Sequence, residues 1–448
     1  MTVPRRLHLA AAFPWSADAG PGDRHADPAA GTAGWAGAGA GARAAFGSFE
    51  RVARAAERGL FDFLLLDGES RLPEHRGRPH ELDPVGGPEP VAVLNALAGV
   101  TARLGLAATV HTAYGEPYEL ARRLATLDHL SAGRAAWRVP APADTGADAN
   151  FRPGDRSDLY GRAAELIAAT RRLWDSWSPE GMPRPFAHRG RHFDIAGEFG
   201  LPRSPQGRPV VIQTGECGRA RELAAASADV LLARHAPLET ARSRYADVGR
   251  RLAAHGRGPR DLKVLSGITV VLGDTAAEAQ ERAAAIRRRR ITPQYALHAL
   301  ERVWGTDLTG YDPDGPLPET DPSPAAPAAS GPGAPGAGHR DGRRLALAER
   351  WRALAREKGL SVRETVIEAS GRQSFVGTPD AVAADLHRYA GAAAADGFLL
   401  LPQLPADGPE EFVDRVVPLL QERGAFRTEY RGGTLRSHLG LAQPAREL

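Results

Sequence analysis

Cysteine is almost absent from this chain: Cys217 is the one such residue among 448. A single thiol excludes an internal disulfide framework and a multi-cysteine metal centre. Lysine is nearly as scarce, since arginine supplies all but Lys263 and Lys358 of the 57 basic residues. Against 54 acidic residues the formal net charge is only +3, with no basic block interleaved with aromatics, so nucleic acid is not an expected partner. Long apolar runs are missing too. The opening "MTVPRRLHLAAAFPWSADAG" has a charged start and an apolar run too short to span a bilayer, broken by His8. It reads as a buried first strand rather than a secretory signal, which places the protein in the cytoplasm and off the membrane. GxSxG, HExxH and Walker loops are absent, which removes support for the commonest hydrolase and nucleotide-hydrolysing chemistries.

What the chain does contain is alternation. Short apolar runs occupy 6–13, 61–68, 104–112, 135–141, 209–215, 229–234, 264–273 and 397–403. Helical patterns lie between them at 49–60, 117–130, 159–177, 238–255, 276–290 and 379–395; in 117–130, Leu120, Leu124 and Leu127 share one face. Eight buried strands alternating with helices predict an α/β fold, a (β/α)8 TIM barrel with insertions; an open doubly wound sheet is the structural alternative. The whole chain reads as one barrel domain. A Gly/Ala-rich stretch at 16–45 is expected to be a long loop, and the Pro/Gly/Ala-rich 313–342 a disordered insertion.

In such a barrel, function collects where strands end. The candidates are therefore Asp67, then Thr109, His111 and Tyr114, then Arg138, the turn from Gln213 to Gly218, His235 and Gln403. Strand alternation puts Thr109 and His111 on the same side. The bland readings stay open: His111 as a core histidine, Asp67 before Gly68 as a turn-former, Cys217 as a small neutral filler. For the "HRGRHF" histidines, His188 and His192, no nearby carboxylate or cysteine is expected to complete a metal site. "PVVIQTGECGRARELAAASADVLLA" (209–233) reads as strand, tight turn and helix, the arrangement in which backbone N–H groups meet an anion, yet it carries Glu216 and Cys217 at the turn.

The block "GVTARLGLAATVHTAYGEPYELARRLATLDHLSAGRAAWRV" (99–139) resembles the signature of the luciferase-like flavin monooxygenases, in the branch of the nitrilotriacetate, dibenzothiophene-sulfone and pristinamycin-type enzymes. "AERGLFDFLLLDG", "LWDSW", "FVGTPDAVAADL" and "FRTEYRGGTLRSHLGL" are similar to further family blocks, in order, so the resemblance covers nearly the whole chain. It implies reduced FMN delivered by a separate NAD(P)H:flavin reductase, reaction with O2 to a flavin C4a-hydroperoxide, and oxygenation of a small organic substrate by a homo-oligomer. Asp67, Thr109 and Tyr160 match cofactor-binding positions of the family. Arg138 and Ala141 stand in a stretch where relatives have the polar run "WNVVTS"; Arg156 replaces a histidine; Glu216 and Cys217, after Gly215, replace two phosphate-loop serines. Arg219, Arg221 and Arg156 are the cations expected to offset Glu216. His111 and Tyr114 are candidates for polar groups near the reacting edge of the flavin, and Phe13 and Trp15 for the substrate pocket. A deazaflavin-dependent relative, or a degenerate barrel serving as an accessory subunit, are the other readings.

Overall fold

The computed structural model describes residues 6–13, 41–67, 74–75, 78–79, 88–140, 158–323, 337–370, 373–403 and 408–445. Its strands β1 (His8–Ala12), β2 (Phe63–Leu66), β3 (Gly105–Thr109), β4 (Ala135–Val139), β5 (Val210–Thr214), β6 (Val230–Arg234), β7 (Lys263–Ile268) and β8 (Gly397–Leu400) fall within the eight apolar runs, give or take a residue. They close a parallel barrel in the order β1-β8-β7-β6-β5-β4-β3-β2. Runs such as "FLLL" and "VVIQT" are buried at every position because one face fills the lumen and the other lies under helices. Ala107, Ala136, Ile212, Leu265 and Leu399 are among the lumen side chains. The fold is the expected (β/α)8 barrel.

Around it run α1 (Gly41–Arg58), α2 (Pro90–Ala98), α3 (Pro117–Leu130), α4 (Leu159–Asp175), α5 (Gly218–Ser227), α6 (Leu238–Ala254) and α7 (Ala276–Arg290). Between β7 and β8 is a helical insertion of α8 (Pro293–Trp304), α9 (Ala337–Lys358) and α10 (Val362–Ala369), followed by the barrel helix α11 (Pro379–Gly391). Thr-Pro pairs start both α8 and α11: the threonine hydroxyl of Thr292 or Thr378 accepts an N–H of the first turn, and proline fills a position whose N–H has no partner in the helix.

Two boundaries differ from the composition-based reading. Helix α1 begins at Gly41, inside the 16–45 stretch, and α9 begins at Ala337, inside 313–342. In the first stretch alanine, the strongest helix former, outnumbers glycine. Residues 313–323 are also built in: Trp304 Nε1 donates to Thr320 O at 2.8 Å, Arg352 donates to Pro318 O at 3.0 Å and Glu319 O at 2.9 Å, and Leu317 is buried. The expected disorder at 324–336 lies outside the described residues.

After β8 come α12 (Glu410–Arg415), α13 (Val417–Glu422) and α14 (Leu435–His438). This last segment stoppers the barrel's amino-terminal end: Leu435, Leu439 and Leu441 join the lumen cluster. Arg436 grips Asp229 through both guanidinium nitrogens at 3.0 and 3.1 Å, and Arg427 pairs with fully buried Asp62, which also accepts the Leu9 N–H at 2.9 Å. Burial pushes the Asp62 carboxyl up, but Arg427 and His8 prevail and hold it at about 2.

Candidate active site

The top of the lumen is polar. Asp67, Thr109 and Arg138 continue the inward-facing register of Leu65, Ala107 and Ala136, and Thr109 and Arg138 are paired neighbours on β3 and β4. Arg138 Nη1 donates to Asp67 Oδ2 at 2.8 Å and to Thr109 Oγ1 at 3.1 Å, with the ion pair's side chains only 2% and 4% exposed. Three residues singled out separately in the sequence are thus one hydrogen-bonded layer. Arg138 is its hub, a role that the missing family asparagine did not foretell.

Next to this layer, the turn between β3 and α3 carries His111 and Tyr114, both half-buried. Arg162, on the first turn of α4, fixes that turn by donating to Thr112 O at 3.3 Å and Gly115 O at 3.1 Å. It sits in the quoted "LYGRA" block, where the resemblance drew attention to Tyr160 alone.

At the end of β5, Gly215 adopts a φ of 143°, a conformation that side chains disfavour. Cys217 then occupies the N-cap of α5 as serine would, its sulfur accepting the Ala220 N–H at 3.4 Å and lying 3.1 Å from the Tyr160 hydroxyl. Burial pushes the thiol up, but the bonds from Tyr160 and from the Ala220 and Arg219 N–H groups outweigh it and hold the thiol below its ordinary range. Burial, then the bond to Cys217, push the Tyr160 phenol up to about 12. The Arg219 guanidinium lies 6.0 Å over the Tyr160 ring.

Glu216 is directed elsewhere. Its carboxylate takes Arg244 Nη1 at 2.9 and 3.0 Å on its two oxygens and the backbone N–H of Arg234 at 2.7 Å. The compensating cation is therefore Arg244 of α6. Arg221, expected to help, instead pairs with Asp247 at 3.2 Å. A helix N-terminus favours an anion through its unshared N–H groups and dipole. With Glu216 neutralised, Arg219 beside it and two hydroxyl- or thiol-bearing side chains at the turn, the residues present fit a phosphate.

Other candidates fall away from the mouth. His235 packs against Phe375 and Tyr389 at ring distances of 5.0 and 5.4 Å, and burial followed by Arg244 keeps it below the ordinary histidine range. Gln213 is fully buried on the helix side of β5. Phe13 stacks on Phe49 at 4.3 Å within the core under α1. His188 does have a carboxylate partner, Glu165 of α4 at 3.0 Å, which also accepts the N–H groups of His192 and Phe193 and so pins a β-hairpin (186–197). Among the described residues no group of three metal-ligating side chains converges. Ala141, Arg156 and Trp15 lie outside the described residues.

A closed (β/α)8 barrel with a buried polar layer at the carboxyl ends of its strands has the architecture in which TIM-barrel enzymes place their active sites. The family model described as luciferase-like monooxygenase matches residues 27–396, and the chain belongs to that family of oxidoreductases. It is 35% identical to the N-acetyl-S-(2-succino)cysteine monooxygenase of Bacillus subtilis and 36% identical to nitrilotriacetate monooxygenase component A of Aminobacter aminovorans, each match covering 88% of this chain and 90% of the relative. The solved structure of DmoA from Hyphomicrobium sulfonivorans superposes with a TM-score of 0.75 at 26% identity, over 97% of this chain and 92% of that one. The nitrilotriacetate branch anticipated from the signature block is the one in which the chain falls.

Proposed function

We propose that the protein is the oxygenase component of a two-component system: it takes reduced FMN from a separate NAD(P)H:flavin reductase, uses O2, and oxygenates a small organic substrate in the cytoplasm, as a homo-oligomer. The observation that carries this reading is the engagement of Glu216 by Arg244 and the Arg234 N–H. It removes the one electrostatic objection to a phosphate at the N-terminus of α5. When bound, reduced FMN supplies the electrons with which one atom of O2 is transferred to the substrate and the other leaves as water.

This chain's residues divide the remaining work. Gly215, Cys217, Tyr160 and Arg219 hold the phosphate end, while Glu216 anchors the turn to α6. The Asp67–Arg138–Thr109 layer forms a rigid polar floor for the ring, and the lumen below it is filled by side chains, so water does not approach from beneath. His111 and Tyr114, on the turn fixed by Arg162, are the polar groups nearest to hand for a substrate or for a proton at the mouth.

An anaerobic titration with reduced FMN, followed by fluorescence with oxidised FMN in parallel, tests this. Saturation at micromolar concentration or below supports the oxygenase reading. The absence of saturable binding up to hundreds of micromolar overturns it and makes the accessory-subunit reading the better one.

A further inference from the structure

A cavity of about 340 Å3 lies at the carboxyl ends of β1 and β8, between those strands and helices α1, α7 and α12. Because the barrel closes in the order given above, β1 is diametrically across the mouth from β5 and its phosphate turn. The cavity walls are mostly apolar, with Ala12, Val52, Leu272, Ile286, Leu401 and Phe412 contributing.

One polar side chain in it stands out. Gln403 is only 6% exposed, and its Nε2 donates to Val270 O at 2.8 Å. A carbonyl oxygen accepts only from the NH2 end of an amide, so this bond fixes which way round the amide sits. Its Oε1 then has no hydrogen-bond partner among the described residues. A buried acceptor left without a donor is rare in folded proteins and marks a place where something is missing.

The charges around the cavity are spoken for. Arg282 is bound to Glu411 by two contacts at 3.1 and 3.3 Å, Glu411 also takes Arg415 at 3.1 Å, and Glu410 is held by Arg51. Among the described residues of the lining one arginine thus stands against two glutamates, and a carboxylate ligand meets no uncommitted cation among them.

We propose that this cavity binds the organic substrate, and that the substrate is an uncharged, largely apolar molecule bearing one O–H or N–H group that donates to Gln403 Oε1. The word substrate rests on the monooxygenase reading; the ligand chemistry of the cavity does not. The cavity's character is opposite to what a tricarboxylate such as nitrilotriacetate requires, although that compound names one relative of this chain.

The test uses the full-length protein without flavin, titrated with 2-naphthol, 2-methylnaphthalene and 2-naphthoate, with nitrilotriacetate as competitor. The first two are expected to bind saturably, 2-naphthoate at least about tenfold more weakly than 2-naphthol, consistent with the cost of bringing a charge to a site without a partner for it. Nitrilotriacetate is expected not to compete. Gln403→Leu is expected to weaken 2-naphthol by about three- to tenfold, the usual worth of one hydrogen bond, and to leave 2-methylnaphthalene unchanged. Circular dichroism checks that the variant folds, and the ranking of probes on the wild-type protein stands without it. Tighter binding of 2-naphthoate, competition by nitrilotriacetate, equal weakening of both neutral probes, or no saturable binding of either neutral probe each overturns the proposal. Reduced FMN titrated into the same preparation separates the two readings. If the flavin fails to bind while the probe ranking holds, the oxygenase assignment falls and the cavity remains a site for neutral ligands.

Discussion

Replacing Arg138 by methionine leaves the Asp67 carboxylate at the top of a packed lumen without the guanidinium 2.8 Å away. Both side chains are almost wholly buried, so the loss belongs to the class in which one partner of a buried pair is removed, about 3–5 kcal/mol. A chain of this length has an unfolding entropy of roughly 0.9 kcal/mol per kelvin, so the melting temperature is expected to fall by about 3–5 °C. Differential scanning calorimetry or tryptophan emission reads this directly. The double variant Arg138→Met/Asp67→Leu replaces both charges by apolar groups of similar volume and is expected to recover most of the loss, because such a swap is often neutral or better. An unchanged melting temperature in the single variant, or a double variant no better than the single one, refutes the account of this layer as an ion pair that needs both halves.

Arg244→Gln frees the Glu216 carboxylate beside the proposed phosphate turn; reduced FMN should bind about fivefold more weakly or worse, the ~1 kcal/mol that like charges at contact range cost even in water. Adding Glu216→Gln should restore the affinity, and equal affinity in all three proteins would remove Glu216 from consideration. His438 is held at about 4, chiefly by burial, against an ordinary 6.5. The unfolded chain therefore binds the extra proton first, and stability present above pH 6.5 is lost as the pH falls toward 4, by about 3 kcal/mol. His438→Gln should flatten that part of a melting-temperature profile, and an unaltered slope would assign the acid sensitivity to other groups. Iodoacetamide is expected to label exposed Cys217, with Tyr160→Phe slowing the reaction by removing a bond that keeps the thiol low and reduced FMN protecting it; labelling indifferent to the cofactor would place the phosphate elsewhere.

The barrel strands were legible because a parallel strand buried on both faces reads as an unbroken apolar run, as in "FDFLLLDG" and "PVVIQTG". Strand ends then located Asp67, Thr109 and Arg138 at the mouth, since alternation along a strand needs no tertiary knowledge. What joins those three residues was not legible. Asp67 and Arg138 are 71 positions apart, and no local pattern announces a partner at that distance. Arg244 escaped for the same reason: it lies 28 residues beyond Glu216 on a helix whose arginines look alike in sequence, and only the packing of α6 against α5 selects it. Composition misplaced the edge of the first low-complexity stretch because alanine in it was weighed together with glycine, though it favours helix where glycine opposes it; the "AGHRDG" that opens α9 carries no such local signal. Gln403 was placed at the end of the eighth strand, but its unsatisfied oxygen is a property of three-dimensional space alone.

The stopper at the amino-terminal end of the lumen also bears on time. A chain made from its N-terminus exposes Asp62 long before Arg427 exists, and Asp229 precedes Arg436 by 207 residues. Until those arginines emerge, two carboxylates destined for burial lack their guanidinium partners, and the amino-terminal end of the lumen is open. Leu7 likewise waits for Ala425 to accept its N–H. The chain must therefore be made past residue 436 before the barrel can be sealed at that end. The nascent barrel spends that interval with apolar strands exposed.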